Sequence, residues 1–296
     1  MNLATSPLII RGPGDPPDLD PEAVVVGVAG DWESHARRAV KQIGWLNYVE
    51  PALRCVLQLG DLRFTSDDIR TGAARTDAPF LNAIDSACRR HQVDMVLVTP
   101  GNHDDWARMN AWWKAHPSRP MQVSEHVWML PRGARFGLGG RRFLSFGGAV
   151  SVNQAALTEG RNWWRDEAPT QAEADDAAAS GPADVLLLHE ATDAPIPPVT
   201  RRLASNRSRR RFDHLRESTH SRQVVSALRD RLRPAVTFHG HMDVAGSCRL
   251  PDGGRVYSLA DATSVGNAGI LTLADLSWRW LDSVRAADDL AGDGRD

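Results

Sequence analysis

The sequence predicts a layered α/β protein in which buried strands alternate with helices. Three short runs of β-branched and aliphatic residues, at 24–28, 55–59 and 95–99, each have the length and composition of a strand. Helical patterns at 34–49 and 79–91 lie between them. This β-α-β order is typical of a sheet whose strands run parallel and are covered on both faces.

The middle of the sequence predicts a second sheet. Short strand-like runs separated by glycine-rich turns indicate an antiparallel meander, at 127–130, 134–136 and 142–146. Further apolar runs predict strands at 185–188, 235–238, 256–259, 269–273 and 277–280, and a helix at 221–232. The sequence therefore has enough elements for two sheets and their flanking helices.

Polar residues that can bind metal follow five of the predicted strands. They form the blocks Gly30-Asp31-Trp32-Glu33, Gly60-Asp61, Gly101-Asn102-His103-Asp104, Leu188-His189 and His239-Gly240-His241-Met242-Asp243. In α/β folds the carboxyl ends of the strands meet at one edge of the sheet, where such proteins build their sites. We therefore expect the five blocks to converge.

In order, spacing and residue type, the five blocks resemble the calcineurin-like metallophosphoesterase superfamily, in its bacterial or phage form. The usual pattern there is Asp-x-His, Gly-Asp, Gly-Asn-His-Asp/Glu, a lone His after a strand, and Gly-His-x-His. The resemblance covers residues 24–275, and the segments 147–152 and 163–167 share it. It implies a four-layer α-β-β-α sandwich, with two mixed sheets flanked by helices and a dinuclear metal site at the strand carboxyl ends.

The resemblance also implies an activity and a set of metal ligands. The activity is hydrolysis of phosphate esters, as a phosphatase or phosphodiesterase, by attack of a metal-bridging hydroxide on phosphorus. The first ion would bind Asp31, Glu33, Asp61 and Asp243. The second would bind Asp61, as the bridge, together with Asn102, His189 and His241.

Two of these ligands depart from the pattern, because Glu33 and Asp243 stand where the superfamily has histidine. Either residue could instead lie just outside the ligand set, and His35 is an alternative ligand. An all-carboxylate first site favours hard cations. We expect two divalent ions, Mn²⁺ in the first instance, with Mg²⁺, Fe²⁺ or Zn²⁺ as alternatives.

By resemblance, His103 is the catalytic acid that protonates the leaving oxygen. A catalytic imidazole needs a second group that fixes its orientation. Phosphatase branches often supply an aspartate at the position that Phe64 occupies here. Asp104 is the nearest alternative, and Asp67 and Asp68 are more distant ones.

Substrate contacts are expected from arginine, histidine and tryptophan side chains near the ligand blocks. The segment 201–216 contains seven arginines, of which Arg209 and Arg210 are candidate phosphate contacts. An ordinary solvated loop is an equal alternative for that segment. His239 is expected either to support the ligands from behind or to contact phosphate, and Trp32 and Trp106 are expected to line the mouth of the site.

Composition agrees with one large domain, predicted at 23–284 between a flexible leader at 1–22 and a tail at 285–296. The chain has 296 residues, of which 42% are hydrophobic, and a formal net charge of −2, which argues against a general nucleic-acid coat protein. Its three cysteines lie outside the ligand blocks and indicate neither a disulfide framework nor a thiolate zinc site. No signal peptide or membrane span is recognisable, so cytoplasmic localisation is expected.

Three functions remain open at this point. The first is hydrolysis of a small phosphomonoester, a nucleotide or a phosphoprotein. The second is a nuclease-like phosphodiesterase for which nucleic acid is the substrate. The third is a non-catalytic binding or regulatory relative with weakened metal binding, which the replacements at Glu33 and Asp243 motivate and the intact Asn102-His103-Asp104 block disfavours. The phosphate-ester partner and the oligomeric state stay open.

Overall fold

A computed structural model describes residues 16–64, 78–117, 119–207 and 212–282. Its strands are β1 (Val25–Ala29), β2 (Cys55–Gln58), β3 (Met95–Val98), β4 (Met121–Gln122), β5 (Val127–Met129), β6 (Ala134–Leu138), β7 (Arg141–Phe146), β8 (Val185–Leu188), β9 (Val236–His239), β10 (Gly246–Arg249), β11 (Arg255–Ser258), β12 (Ala268–Thr272) and β13 (Trp278–Trp280). Its helices are α1 (Ala36–Val49), α2 (Ala78–His91), α3 (Trp106–Ala115), α4 (Gln171–Ala179), α5 (Pro197–Arg207) and α6 (Phe212–Leu232).

The strands form two mixed sheets. The first has seven strands in the order β13-β12-β1-β2-β3-β5-β4, in which β1, β2, β3 and β5 run parallel. The second has six strands in the order β10-β11-β9-β8-β7-β6, in which β11, β9, β8 and β7 run parallel. The parallel strands occupy the centre of each sheet, and antiparallel strands complete both edges.

The two sheets pack face to face, and helices cover their outer faces. Alternate residues of β8 show this arrangement. Val185 and Leu187 lie in the core between the sheets, whereas Leu186 and Leu188 lie in the core under α4 and α6. Residues of α1, α2 and α3 form a third core with the outer face of the first sheet. Burial on both faces explains the uninterrupted apolar runs, and the predicted four-layer sandwich is confirmed.

The structure corrects the predicted place of one strand. The run at 127–130 was expected in the second sheet, but Val127 pairs with Val96 of β3 in the first sheet. In that register Val127 and Met129 enter the core beneath the helices. The sequence of so short an apolar strand does not predict which strand it pairs with, because tertiary packing decides the pairing. In the second half, β11 joins the second sheet, while β12 and β13 join the first.

Three helices were not predicted, namely α3, α4 and α5. For α4 the signal was present, because Thr170 and Glu173 form a capping box at its first turn. The end of the predicted leader is also ordered against the second sheet. The backbone N–H of Leu19 donates to the carbonyl of Gly137 at 2.9 Å. Residues 1–15 and the predicted tail at 285–296 lie outside the described residues.

Within the described part of the chain, no helix is at once long enough and apolar enough to span a membrane.

Candidate metal centre

The five polar blocks meet where strands of both sheets end. Three of them follow β1, β2 and β3 of the first sheet, and two follow β8 and β9 of the second. The turns that carry them are tight. Four non-glycine residues of the predicted ligand set have positive φ, namely Glu33 (51°), Asp61 (48°), His241 (64°) and Asp243 (56°). Such backbone is costly for residues with a Cβ and is found where surrounding structure holds a functional side chain in place.

Two glycines allow the carboxylates to approach the neighbouring turns. A Cβ on Gly101 would overlap Oδ1 of Asp61, and a Cβ on Gly240 would overlap Oδ1 of Asp31. Both glycines directly precede a predicted ligand, Asn102 in one case and His241 in the other. Their role is therefore steric, because no other residue would let the side chain of one strand end lie against the backbone of the next.

His189 is held in one tautomer by its surroundings. Its Nδ1 atom lies 2.6 Å from the carbonyl oxygen of Leu59, which can only accept, so Nδ1 carries the proton. The Nε2 atom points the other way, 3.0 Å from Oδ1 of Asn102 and 3.4 Å from Oδ1 of Asp61. Three electron-rich atoms therefore face one another in a fully buried position. Such an arrangement is stable with a cation or an additional proton between them.

Asp61 is the residue that both parts of the site share. One of its oxygens accepts a hydrogen bond from the backbone N–H of His103 at 2.9 Å. Burial raises the pKa of Asp61, but the imidazoles of His189 and His103 and this hydrogen bond outweigh burial and lower the pKa to about 2. Asp61 is thus the carboxylate of the centre that stays ionised throughout the physiological range.

Asp31 is buried and only partly satisfied. Its Oδ2 accepts a hydrogen bond from the backbone N–H of His241 at 3.0 Å, whereas its Oδ1 has no hydrogen-bond partner among the described residues. Burial raises the pKa of Asp31 well above its ordinary value, and the neighbouring carboxylates of Asp61, Asp243 and Glu33 raise it further. A buried carboxylate with an unpartnered oxygen beside other carboxylates is stable either with a proton or with a cation next to it.

The arrangement fits a bound divalent cation. Asp31, Asp61 and His189 each offer one ligand atom, and these atoms lie within 4.8 Å of one another. Glu33, Asp61 and His103 form a second group by the same measure. Carboxylate oxygen, amide oxygen and imidazole nitrogen together suit Mn²⁺, Fe²⁺ or Zn²⁺. The unpartnered Oδ1 of Asp31 and the facing acceptors around His189 are the observations that support this fit.

The two predicted ligands that depart from the expected histidine pattern, Glu33 and Asp243, are both paired with arginine. The guanidinium of Arg63 forms an ion pair with the carboxylate of Glu33. The Nη2 atom of Arg202 lies 2.8 Å from Oδ2 of Asp243. Arg63 was not singled out from the sequence, whereas Arg202 is one of the seven arginines in the segment 201–216 that was expected near the site. Arg63 lies two residues after Asp61, and Arg202 belongs to α5, so only the folded chain brings them to these carboxylates.

Asp104 holds the backbone of the centre rather than the ring of His103. Its two oxygens accept hydrogen bonds from the backbone N–H groups of Phe64 at 2.9 Å and of Gly101 at 2.8 Å. Burial and the charge of Asp61 raise the pKa of Asp104 to about 7, against the effect of these hydrogen bonds. Among the described residues the hydrogen bonds of Asp104 go to main chain, and Nδ1 of His103 has no partner, so the expectation that Asp104 orients this ring is corrected.

His103 itself contributes to the wall of the cavity. Its Nδ1 atom has no hydrogen-bond partner among the described residues. Burial lowers the pKa of His103, although the nearby charge of Asp61 opposes that effect. The candidate partners Asp67 and Asp68 lie outside the described residues.

A buried chain of hydrogen bonds supports Asn102 from behind. The Nδ2 group of Asn102 donates to the hydroxyl of Ser151 at 2.9 Å, and the backbone N–H of Ser151 donates to Oε1 of Glu167 at 2.6 Å. Burial raises the pKa of Glu167 to about 8 despite these hydrogen bonds. Neither Ser151 nor Glu167 was predicted as a site residue. Their segments had been noted only for resemblance, and a residue that acts through another side chain has no local signature.

A cavity of about 180 Å³ opens on this centre. Its lining includes predicted ligands and two arginines, namely Glu33, Asp61, Asn102, His103, His241, Asp243, Arg202 and Arg222. A larger cavity of about 810 Å³ also has Thr219 in its wall, together with Trp163, Arg165, Arg216 and His220. The centre therefore opens to a small polar chamber with a wider space beside it.

Three of the predicted substrate contacts are buried instead. Trp32 and Trp106 are 0% and 1% exposed, and their indole N–H groups donate to Gln42 and to the carbonyl of Gly101. His239 is also 0% exposed, and its Nδ1 lies 3.1 Å from the carbonyl oxygen of Gly240.

For Trp32 and Trp106 these buried positions correct the expectation that the side chains line the mouth of the site. His239 is too buried to contact phosphate, which leaves the supporting role as its alternative. The tryptophans lie beneath the turns that carry the predicted ligands, because a large apolar ring gains more from core packing than from the rim. The other two candidates, Arg209 and Arg210, lie outside the described residues.

Known structures resemble this chain in fold. No protein-family model matches the sequence, and no curated protein does. One solved structure aligns with a TM-score of 0.54 and 13% identity, over 86% of this chain and 97% of the other. A dimetal phosphatase from Danio rerio aligns at 0.48 with 12% identity, over 84% and 92% of the two chains. The protein TT1561 of Thermus thermophilus aligns at 0.49 with 13% identity, over 86% and 96%. At such identity the first alignment shows a shared fold alone.

Proposed function

We propose that this chain, whose two-sheet sandwich is the calcineurin-like metallophosphoesterase fold, is a metal-dependent phosphoesterase. The observation that carries the proposal is the environment of His189. Its Nε2, on the side of the ring away from the Leu59 carbonyl, faces the oxygens of Asn102 and Asp61 in a buried position that suits a bound cation. A structural cluster of caps and turns would pair such atoms with donors instead.

The residues that would hold the cation are Asp61, Asn102, His189 and His241, with Asp31 adjacent. A divalent metal bound there supplies a Lewis acid that acidifies water and withdraws charge from phosphoryl oxygens. The chain itself supplies the preorganised frame. Gly101 and Gly240 bring the turns together, and Asp104 and Ser151 hold the backbone and the amide from behind.

His103 is the proposed general acid. Its backbone is fixed by Asp61 at 2.9 Å, and the residue contributes to the wall of the 180 Å³ cavity. An anionic phosphate in the cavity would raise the pKa of His103 again, because the opposite charge stabilises the protonated imidazole. The protonated ring can then donate to the oxygen of the leaving group.

The proposed substrate is a small phosphate monoester. A cavity of about 180 Å³ at the centre has room for a phosphoryl group and its nearest substituents. Arg202 and Arg222 line this cavity. One guanidinium group can donate two parallel hydrogen bonds to two phosphate oxygens. The neighbouring cavity, lined by Trp163 and Arg216, provides space for the remainder of the leaving group.

The test compares metal content with turnover. Protein purified without chelator would be assayed by elemental analysis and with an aryl phosphomonoester and an aryl phosphodiester, under added Mn²⁺, Mg²⁺ or Zn²⁺. We expect bound metal and metal-dependent hydrolysis, with the monoester preferred. Metal-free protein is the control. Folded, metal-loaded protein that hydrolyses neither ester would overturn the proposal, and preference for the diester would favour the nuclease-like alternative.

A further inference from the structure

Each of the two carboxylates that stand where the superfamily pattern has histidine has a cationic partner. Arg63 pairs with Glu33, and Arg202 pairs with Asp243. A histidine ligand is neutral, whereas a carboxylate at the same position can carry a negative charge. In this chain each such carboxylate is therefore matched by one guanidinium group.

The two arginines reach the centre independently. Arg63 lies on the turn after β2, in a left-handed backbone conformation with φ of 58°, and its side chain is 18% exposed. Burial would lower its pKa, but the charges of Glu33, Asp61 and Asp104 raise it. Arg202 belongs to α5, and its side chain is 45% exposed beside the cavity. One cation is thus embedded beside the carboxylates, and the other approaches from the cavity.

Two carboxylates of the first metal position already pair with guanidinium groups, Glu33 with Arg63 and Asp243 with Arg202. A divalent ion at that position would lie beside both guanidinium groups and would be repelled by each of them. Within the described residues, the position around His189 has no arginine in such a pair, so an ion there meets less repulsion.

The two metal positions also differ in how their ligands are engaged. Around His189, the Nε2 lone pair and the oxygens of Asn102 and Asp61 face one another. On the other side, one oxygen of Glu33 and one of Asp243 accept from arginine. Glu33, Asp61 and His103 still offer ligand atoms within 4.8 Å of one another. A metal ion could bind these atoms only by competing with Arg63 for the carboxylate of Glu33.

We infer that Arg63 and Arg202 supply the positive charge of the first metal position, so that the chain binds one divalent ion tightly, at Asp61, Asn102, His189 and His241. The inference deepens the proposed function and rests on it for the identity of the centre. The guanidinium groups replace the charge of the first ion, and Arg202, at the cavity, is placed to bind a phosphoryl oxygen as that ion would.

The test measures metal stoichiometry without reference to turnover. Chelator-treated wild-type protein and the variant Arg63→Met/Arg202→Met would be titrated with Mn²⁺ by calorimetry, and bound metal counted by elemental analysis. We expect one tight ion per wild-type chain. The double variant should bind a second ion, with at least about a tenfold gain in affinity at the first position, since each removed charge favours the cation.

Two further variants act as controls. Arg231→Met removes an exposed arginine that pairs with Asp175 on the outer helical layer, and should leave one ion per chain. Arg63→Lys keeps the charge, and should also leave one. If the double variant failed to fold, Arg202→Met alone would serve, because that side chain is half exposed; it should raise affinity for a second ion.

The outcomes separate this inference from the proposed function. Two ions of comparable affinity in wild-type protein, or a single ion that persists in the folded arginine variants, would overturn the inference even if the protein hydrolyses esters. One ion in wild type and two in the double variant would support it, even if neither ester were hydrolysed. Absence of any bound Mn²⁺ in both proteins would overturn it as well.

Discussion

The backbone N–H of His103 donates a hydrogen bond of 2.9 Å to Oδ1 of Asp61. The main chain of the proposed acid is thereby tied to the carboxylate that is proposed to serve both metal positions. Because this bond does not involve the imidazole, the ring can change its protonation without loosening the carboxylate. Removing the ring and neutralising the carboxylate should therefore have separable effects.

Replacing the ring should affect turnover but not metal. His103→Ala keeps the backbone N–H, so metal content measured by elemental analysis should remain within error of wild type. Turnover of an aryl monoester should fall by about 10²–10⁴-fold, the usual contribution of a positioned general acid. Turnover of an ester whose leaving group needs no protonation should fall by a smaller factor. Loss of metal, or full activity, would show that His103 has a different role.

Neutralising the shared carboxylate should remove both properties. Asp61→Asn removes the negative charge that faces His189 and lies beside His103. Because a divalent cation binds a charged carboxylate more tightly than a neutral amide, metal affinity and turnover should each drop by at least about 10²-fold. Calorimetric titration with Mn²⁺ measures the first effect. Asp175→Asn, an exposed aspartate on α4, is the matched control and should behave as wild type. Unchanged Mn²⁺ affinity would exclude Asp61 as a ligand.

Asp104 should prove important for stability rather than proton transfer. Asp104→Ala leaves the buried N–H groups of Phe64 and Gly101 without acceptors, at a cost of about 1–3 kcal/mol each. Asp104→Asn keeps one acceptor and should cost less. Urea unfolding measures both free energies. The asparagine variant should retain most of its turnover at a temperature where it is folded; an inactive but stable variant would contradict this interpretation.

Glu167 should make stability depend on pH. Burial raises its pKa from 4.5 to about 8, so the folded chain keeps a proton that the unfolded chain releases near pH 4.5. The stability contributed by that proton is complete below pH 4.5 and is lost as pH rises through 8. Between these values the free energy of unfolding should fall with pH, by up to about 1.4 kcal/mol per unit from this group.

Glu167→Gln should remove that contribution. The amide still accepts from the backbone N–H of Ser151, so folding is preserved and the slope becomes shallower. Urea unfolding across the range from about pH 5 to about pH 8 compares the variant with wild type and with Glu159→Gln, an exposed control. Parallel curves for wild type and the Gln variant would show that Glu167 does not hold its proton in the folded chain.

Much of the fold follows from local pattern. The strand at 185–188 has the bounds expected from its apolar run, and β1, β2 and β3 agree with expectation to within one residue at each end. Buried parallel strands are readable because both faces exclude water, which leaves uninterrupted apolar runs. The β5 strand was assigned to the wrong sheet, because its neighbour is chosen by packing at Val127 and Met129 and not by its own three residues.

The candidate centre was readable only in part, for the same reason. Asp31, Asp61 and His189 could be named because their ligand chemistry and their place after strands are both visible in the chain. Burial of Trp32, Trp106 and His239 could not be foreseen, since adjacency to a ligand does not determine which way a side chain points.

The order of strands and turns in the chain predicts two sheets and places candidate ligands at the carboxyl ends of their strands. Long-range packing decided the rest. It brought Arg63 to Glu33 and Arg202 to Asp243, and it placed Glu167 behind Ser151. Hydrophobic periodicity is a local property, whereas the charge around a side chain is the sum over neighbours that only the folded backbone assembles.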